Sequence, residues 1–164
     1  MVNSQITPGS VFQYILSNHT PAAMAWIRGG TEYPAISGLA KFYETPYQGV
    51  LVEVEVFNLP GVNEPGNSRF FAMHIHEFGN CSDNFAHVGP HYGAPGSLHP
   101  FHYGDMVPLL ANQGYAWTAF YDKRFTIRDI LGRSVIIHIN PDDFHTQPSG
   151  ISGTMIACGE IRTS

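Results

Sequence analysis

The sequence predicts an all-β chain of about eight strands, a sandwich or a barrel, on three observations. Seventeen Gly and 12 Pro among 164 residues favour many short turns over long helices. Apolar residues recur with period two, most clearly in GVLVEVEVFNL. There Val50, Val52, Val54 and Val56 share one face, and Leu51, Glu53 and Glu55 share the other. The clusters GGTEYPAI, TPYQG and PGVNEPGNS break these stretches where turns are needed.

Taken in order, TPGSVFQYILSNH (7–19) reads as a short helix, with Ser10 as N-cap and Phe12, Ile15, Leu16 and His19 at helical spacing. AAMAWIRG, SGLAKFYET, GVLVEVEVFNL and RFFAMHIHEF then read as strands. Residues 79–108 have no periodicity and are rich in Gly, Pro and His. A loop of about 30 residues in a compact domain is usually functional. GYAWTAFYD, RSVIIHIN and TMIACGEI are further strands, with one helical turn in RFTIRDILG and a second loop in PDDFHTQPSGISG.

Composition excludes several classes. Net charge is −5 and the only lysines are Lys41 and Lys123, so no basic face offers itself to nucleic acid. No run approaches the ~18 apolar residues of a membrane span. The N-terminus lacks a basic start followed by an apolar stretch, which predicts a cytoplasmic protein. Cys81 and Cys158 lie too far apart for a CxxC motif and are either two buried thiols or one disulfide. A disulfide would suit an extracytoplasmic compartment better.

Nine His against eight Lys plus Arg point to metal or proton chemistry. His74 and His76, two apart on a predicted strand, present both imidazoles to one face, either as ligands or as satisfied polar residues. His138, inside VIIHI, is either a hydrogen-bonded core residue or a ligand. His91, His99, His102 and Asp105 fall within one Gly/Pro-rich loop, and three imidazoles with one carboxylate make a complete tetrahedral zinc set. Four-nitrogen coordination suits copper. These seven side chains serve two four-ligand sites only if one of them serves twice.

The strings HIHEFGNC, GPHY, HYGD, GRSVIIH with PDD close behind, and IACG, in that order, resemble the copper–zinc superoxide dismutase family over roughly residues 22–161. The resemblance implies a Greek-key β-sandwich, or flattened eight-stranded barrel, with two long functional loops. Residues 1–164 would form a single superoxide dismutase-like domain, with 1–21 an N-terminal extension carrying the short helix. It implies an enzyme that disproportionates superoxide to dioxygen and hydrogen peroxide with copper and zinc as cofactors, a short-loop member of bacterial type, with a homodimer as its suggested assembly. Position by position, His74, His76, His91 and His138 would bind copper. His91, His99, His102 and Asp105 would bind zinc, with His91 as the bridge. His91 and His138 would be the catalytic residues. Asp142 would link a copper histidine to a zinc histidine, Cys81 and Cys158 would form the family's disulfide, and Arg133 would be a structural arginine near the disulfide loop.

One position departs from the family. An arginine that guides the anion to copper lies three residues before the second cysteine in the family, and here that residue is Met155. His145 is the one group in the second loop that could carry positive charge there, and it reads more simply as a surface residue. His19 and His87 match no ligand and read as surface or packing residues. The rival reading is a dismutase-like copper/zinc-binding protein with little catalysis, serving storage, transfer or structure. A cupin would want a Glu four to six residues after its second His, where Asn80, Cys81 and Ser82 stand. A β-sandwich module that binds a partner through its loops leaves the His–Asp spacing unexplained.

Overall fold

A computed structural model describes residues 7–61 and 69–164. Most of the predicted turn cluster PGVNEPGNS lies outside the described residues.

Helix α1 (Pro8–Asn18) begins as the sequence predicts, but its N-cap is Thr7, not Ser10. Thr7 is extended, its hydroxyl accepts the Ser10 N–H at 3.3 Å, and Pro8 occupies the first turn. A proline there sacrifices only an N–H that the helix could not use, so the helix starts three residues earlier than Ser10 would allow. Ile15 is buried with Tyr43 and Leu51. Phe12 stacks on Tyr121 with ring centroids 4.9 Å apart. This packing explains why Leu51 is buried although it shares the outward face with Glu53 and Glu55.

The strands are β1 (Ala23–Gly29), β2 (Ser37–Glu44), β3 (Val50–Phe57), β4 (Phe70–Phe71), β5 (Met73–His76), β6 (Leu109–Leu110), β7 (Ala116–Asp122), β8 (Ser134–His138) and β9 (Met155–Thr163). A turn, α2 (Ser82–Phe85), and a single helical turn, α3 (Ile127–Ile130), complete the order. The expected strand RFFAMHIHEF is two strands. Ala72 leaves the β4–β6 ribbon to exchange backbone bonds with Asn140 and His138, so the register changes there.

Seven strands form one curled antiparallel sheet in the order β5-β8-β9-β1-β2-β3-β7. The chain passes from β3, near one edge, to β5 at the other, and returns from β7 to β8, which are the non-local crossings of a Greek key. The alternation read in β3 holds: Val50, Val52, Val54 and Val56 enter the core with Phe42, Ile75, Met106, Leu109, Ile137 and Ile161.

The β5 edge decides where the site sits. An open sheet edge leaves unpaired N–H and C=O groups. Here residues 88–106 fold back and satisfy them. Tyr92 N–H donates to Ile75 O at 2.8 Å, and Ile75 N–H donates to Gly104 O at 2.9 Å. A Cβ at position 104 would stand 2.3 Å from Ile75 O, so only glycine allows this approach. The irregular segment is thereby pinned beside the HxH strand. Among the described residues, no helix is long and apolar enough to cross a membrane.

Candidate metal centre

His74 and His76 lie on β5, and all four residues of that strand are buried. His138 ends β8 at a register shift, a bulge that re-aims its side chain. Isolated backbone bridges set His91 opposite His76 and Asp105 opposite His74. Ligand nitrogens of His74, His76, His91 and His138 all lie within 4.8 Å of one another. Ligand atoms of His74, His91, His99 and Asp105 form a second such group, with a shared border at His74 and His91. His102 joins it at the outer rim, its Nδ1 3.0 Å from Asp105 Oδ2.

Hydrogen bonds to fixed acceptors set the tautomers. His76 Nδ1–H donates to Gly89 O at 2.8 Å, and His138 Nδ1–H to Gly153 O at 3.1 Å. Each ring therefore turns an unprotonated Nε2 inward, and those two nitrogens face one another at 3.4 Å. Asp142 takes the Nε2–H of His74 on one oxygen and the Nε2–H of His99 on the other, both at 2.8 Å. That leaves Nδ1 as the inward nitrogen of both rings. His91 turns Nδ1 toward Asp105 Oδ1 at 2.8 Å and Nε2 toward the other group.

Three of these inward nitrogens, His74 Nδ1, His91 Nε2 and His99 Nδ1, are buried with no hydrogen-bond partner. Buried acceptors are rarely left so, because each forfeits its bonds to water. His99 Nδ1 also lies 3.2 Å from Asp105 Oδ2, and a lone pair facing a carboxylate oxygen repels unless a cation lies between them. The donor set fits two cations, one among four imidazole nitrogens and one among three imidazoles and a carboxylate.

Electrostatics prepare the same outcome. Burial and the neighbouring imidazoles push His76 and His138 down to about 3, and burial also lowers His74. Burial works against ionisation of Asp105, but the hydrogen bond from His91 and the charges of the surrounding histidines hold it at about 2. Burial likewise opposes ionisation of Asp142, yet bonds from His74, the Phe144 N–H and His99 leave it below the usual carboxylate range. At neutral pH His74, His76 and His138 are neutral imidazoles and Asp105 and Asp142 charged carboxylates, the forms that bind metal.

Other predicted residues fall as follows. Cys81 and Cys158 form a disulfide with Cα atoms 5.8 Å apart, fastening the loop after β5 to β9. Arg133 stacks 3.7 Å over Tyr92 and donates to Glu77 O at 2.9 Å, bracing the chain just before that loop. His145 is exposed, and His87 is exposed and paired with Asp83 at 2.9 Å. His19 caps the C-terminus of α1.

Sequence reasoning missed three residues. Arg124, gripped by Asp122, donates to the backbone oxygens of His102, at 3.1 Å, and Asp105. Gln147 reaches across 48 residues to accept the His99 N–H at 3.0 Å and donate to His99 O at 2.6 Å. Gly150 passes so near Asp142 that a Cβ there would stand 1.9 Å from Oδ1. The strings YDKRF and HTQPSG carry no periodic mark, so nothing in one sequence singles these out.

A model of the family described as copper/zinc superoxide dismutase matches residues 36–161. The chain belongs to the copper/zinc superoxide dismutase family. It is 32% identical over 143 residues to an extracellular superoxide dismutase of Rattus norvegicus, covering 81% of this chain but 57% of that protein. The chain thus spans little more than half the length of that relative. A superoxide dismutase of Caulobacter vibrioides is 31% identical over 159 residues and 86% of each chain. A double mutant of a SOD-like protein from Bacillus subtilis shares the fold, with a TM-score of 0.71 at 24% identity over 83% of this chain and 94% of that one. The sandwich, the histidine cluster and the disulfide of this family member agree with the expectations from its sequence.

Above the centre of this superoxide dismutase-family chain lies a cleft of about 470 Å³, lined by His76, His91, His102, His138, Leu98 and Met155, among others. None of the described residues lining it is Lys or Arg.

Proposed function

We propose that this chain is a copper–zinc superoxide dismutase. His74, His76, His91 and His138 would hold copper; His91, His99 and His102, with Asp105, would hold zinc. The observation that carries the reading is the single buried ring of His91, which turns Nδ1 to Asp105 and an unpartnered Nε2 to the other imidazoles. Bound copper would supply one-electron exchange with successive superoxide anions, and zinc a fixed charge.

The protein's own part is orientation and proton handling. Asp142 holds His74 and His99 at fixed angles, and the backbone oxygens of Gly89 and Gly153 do the same for His76 and His138. His91 Nε2 is the atom that can take a proton while Nδ1 stays directed at Asp105. It can then pass that proton to the departing peroxide. Two superoxide anions and two protons give one dioxygen and one hydrogen peroxide.

With copper and zinc supplied, the protein should remove superoxide faster than free copper, and His138→Ala should lose that activity. Equal activity in both proteins overturns the enzymatic reading.

A second reading, a dismutase-like metal-binding protein with slow turnover, is favoured by Met155 and the cation-free cleft. Steering by positive charge raises anion capture ~10–10³-fold, so this cleft should be slow rather than inert. Met155→Arg should raise the rate constant for superoxide, most at low ionic strength, where screening is weakest. A salt-independent rate in both proteins counts against this account.

A further inference from the structure

The cleft contains a group that superoxide chemistry does not use, a thioether. Met155 opens β9 and is the Cα partner of His138 beside the bulge. Its half-buried side chain packs against the cluster of Phe85, Val88, Ile136 and Cys158 and lines the same cleft as His76, His91 and His138. The buried carboxylates of Asp105 and Asp142 bond the rings of His91, His74 and His99. With no Lys or Arg among the described lining residues, no fixed positive side chain there opposes the entry of a cation.

Imidazole accepts copper in either oxidation state, and zinc as well. Thioether sulfur is soft and prefers copper(I). Of the side chains lining the cleft, Met155 is the soft donor, and it stands next to His138 at the rim of the nitrogen cluster.

We propose that Met155 is the entry ligand for copper(I). Its Sδ receives the ion at the cleft and hands it to His138 and His76. The step is ligand exchange: the ion leaves the donors that brought it, binds sulfur, then trades sulfur for imidazole nitrogen. Copper remains in the +1 state and no electron moves. The inference rests on the assignment of copper to these imidazoles.

The test uses the full chain loaded with zinc. Copper(I) is presented as its coloured bathocuproine disulfonate complex, and transfer is followed by loss of colour. Copper(II) is presented separately as its glycine complex. Met155→Leu keeps the apolar packing and removes the sulfur. It should slow copper(I) transfer about tenfold, an activation difference of about 1.4 kcal/mol, while copper(II) uptake and final stoichiometry stay unchanged. Wild-type speed in Met155→Leu overturns the inference and leaves the dismutase reading intact. Equal slowing for both oxidation states also overturns it, because shape rather than sulfur would then be the cause. A wild-type chain that takes up neither form overturns this inference and the dismutase reading together.

Discussion

Asp142→Asn is expected to weaken the binding of copper and zinc together, each by about 10–100-fold. The carboxylate now accepts two N–H groups, one from His74 and one from His99, with Oδ1 also taking the Phe144 N–H at 2.7 Å. An asparagine has one acceptor oxygen and one donor amide. It can satisfy one ring and must turn N–H toward the other. That ring then has to move its proton to Nδ1, the nitrogen that faces the cations, or rotate away. The side chains of His74 and His99 are fully buried, so water cannot take over the lost bond. Competition with chelators of known affinity, run for each metal separately, measures the effect. Loss of affinity for one metal alone, or for neither, would show that Asp142 does not couple the two halves of the site.

Removing the disulfide should cost about 4 kcal/mol of stability, from the loop-closure entropy of a bridge spanning 77 residues. That is a large part of the ~5–15 kcal/mol that holds a typical domain folded. Cys158 lies within β9, paired with Arg28 of β1 and Ile136 of β8, so the bridge ties Cys81 to the middle of the main sheet. Phe85 and Val88 pack around it, six and three residues before His91. The double variant Cys81→Ser, Cys158→Ser should therefore lose zinc affinity as well as stability. Urea unfolding of the metal-free proteins, checked for an unchanged slope, measures the first effect. A stability loss below about 1 kcal/mol would mean that the reduced chain already keeps the loop in place.

An all-β sandwich or barrel was legible because its signals are short-range, whereas the Greek-key path was implied by the family resemblance. Alternation in β3 says which side of that strand meets the core, and Gly and Pro say where the chain turns. Errors arose where a local signal met a tertiary one. Ser10 is a good N-cap by type, yet Thr7 followed by Pro8 starts the helix earlier. RFFAMHIHEF reads as one strand, yet Ala72 is drawn off by backbone partners in and beside β8, more than sixty residues away. Leu51 interrupts the polar face of β3 for a reason that only the packing of α1 explains.

The candidate site divides the same way. Histidine spacing and the family strings named all seven candidate ligands, Asp142 and the cysteine pair. They said nothing of Arg124, Gln147 or Gly150, which hold the loops through backbone atoms and close approach. Nor could they choose which nitrogen of each ring faces inward.

The sequence by itself determined which donors this chain owns and which faces of its strands turn inward, since both follow from residue type and a repeat of two. Only the tertiary structure decided that residues 88–106 lie along the edge of β5 and that His74 as well as His91 falls in both groups of donors. Edge pairing and ring tautomer depend on partners distant in the chain, and local sequence does not encode the geometry of a distant hydrogen-bond acceptor.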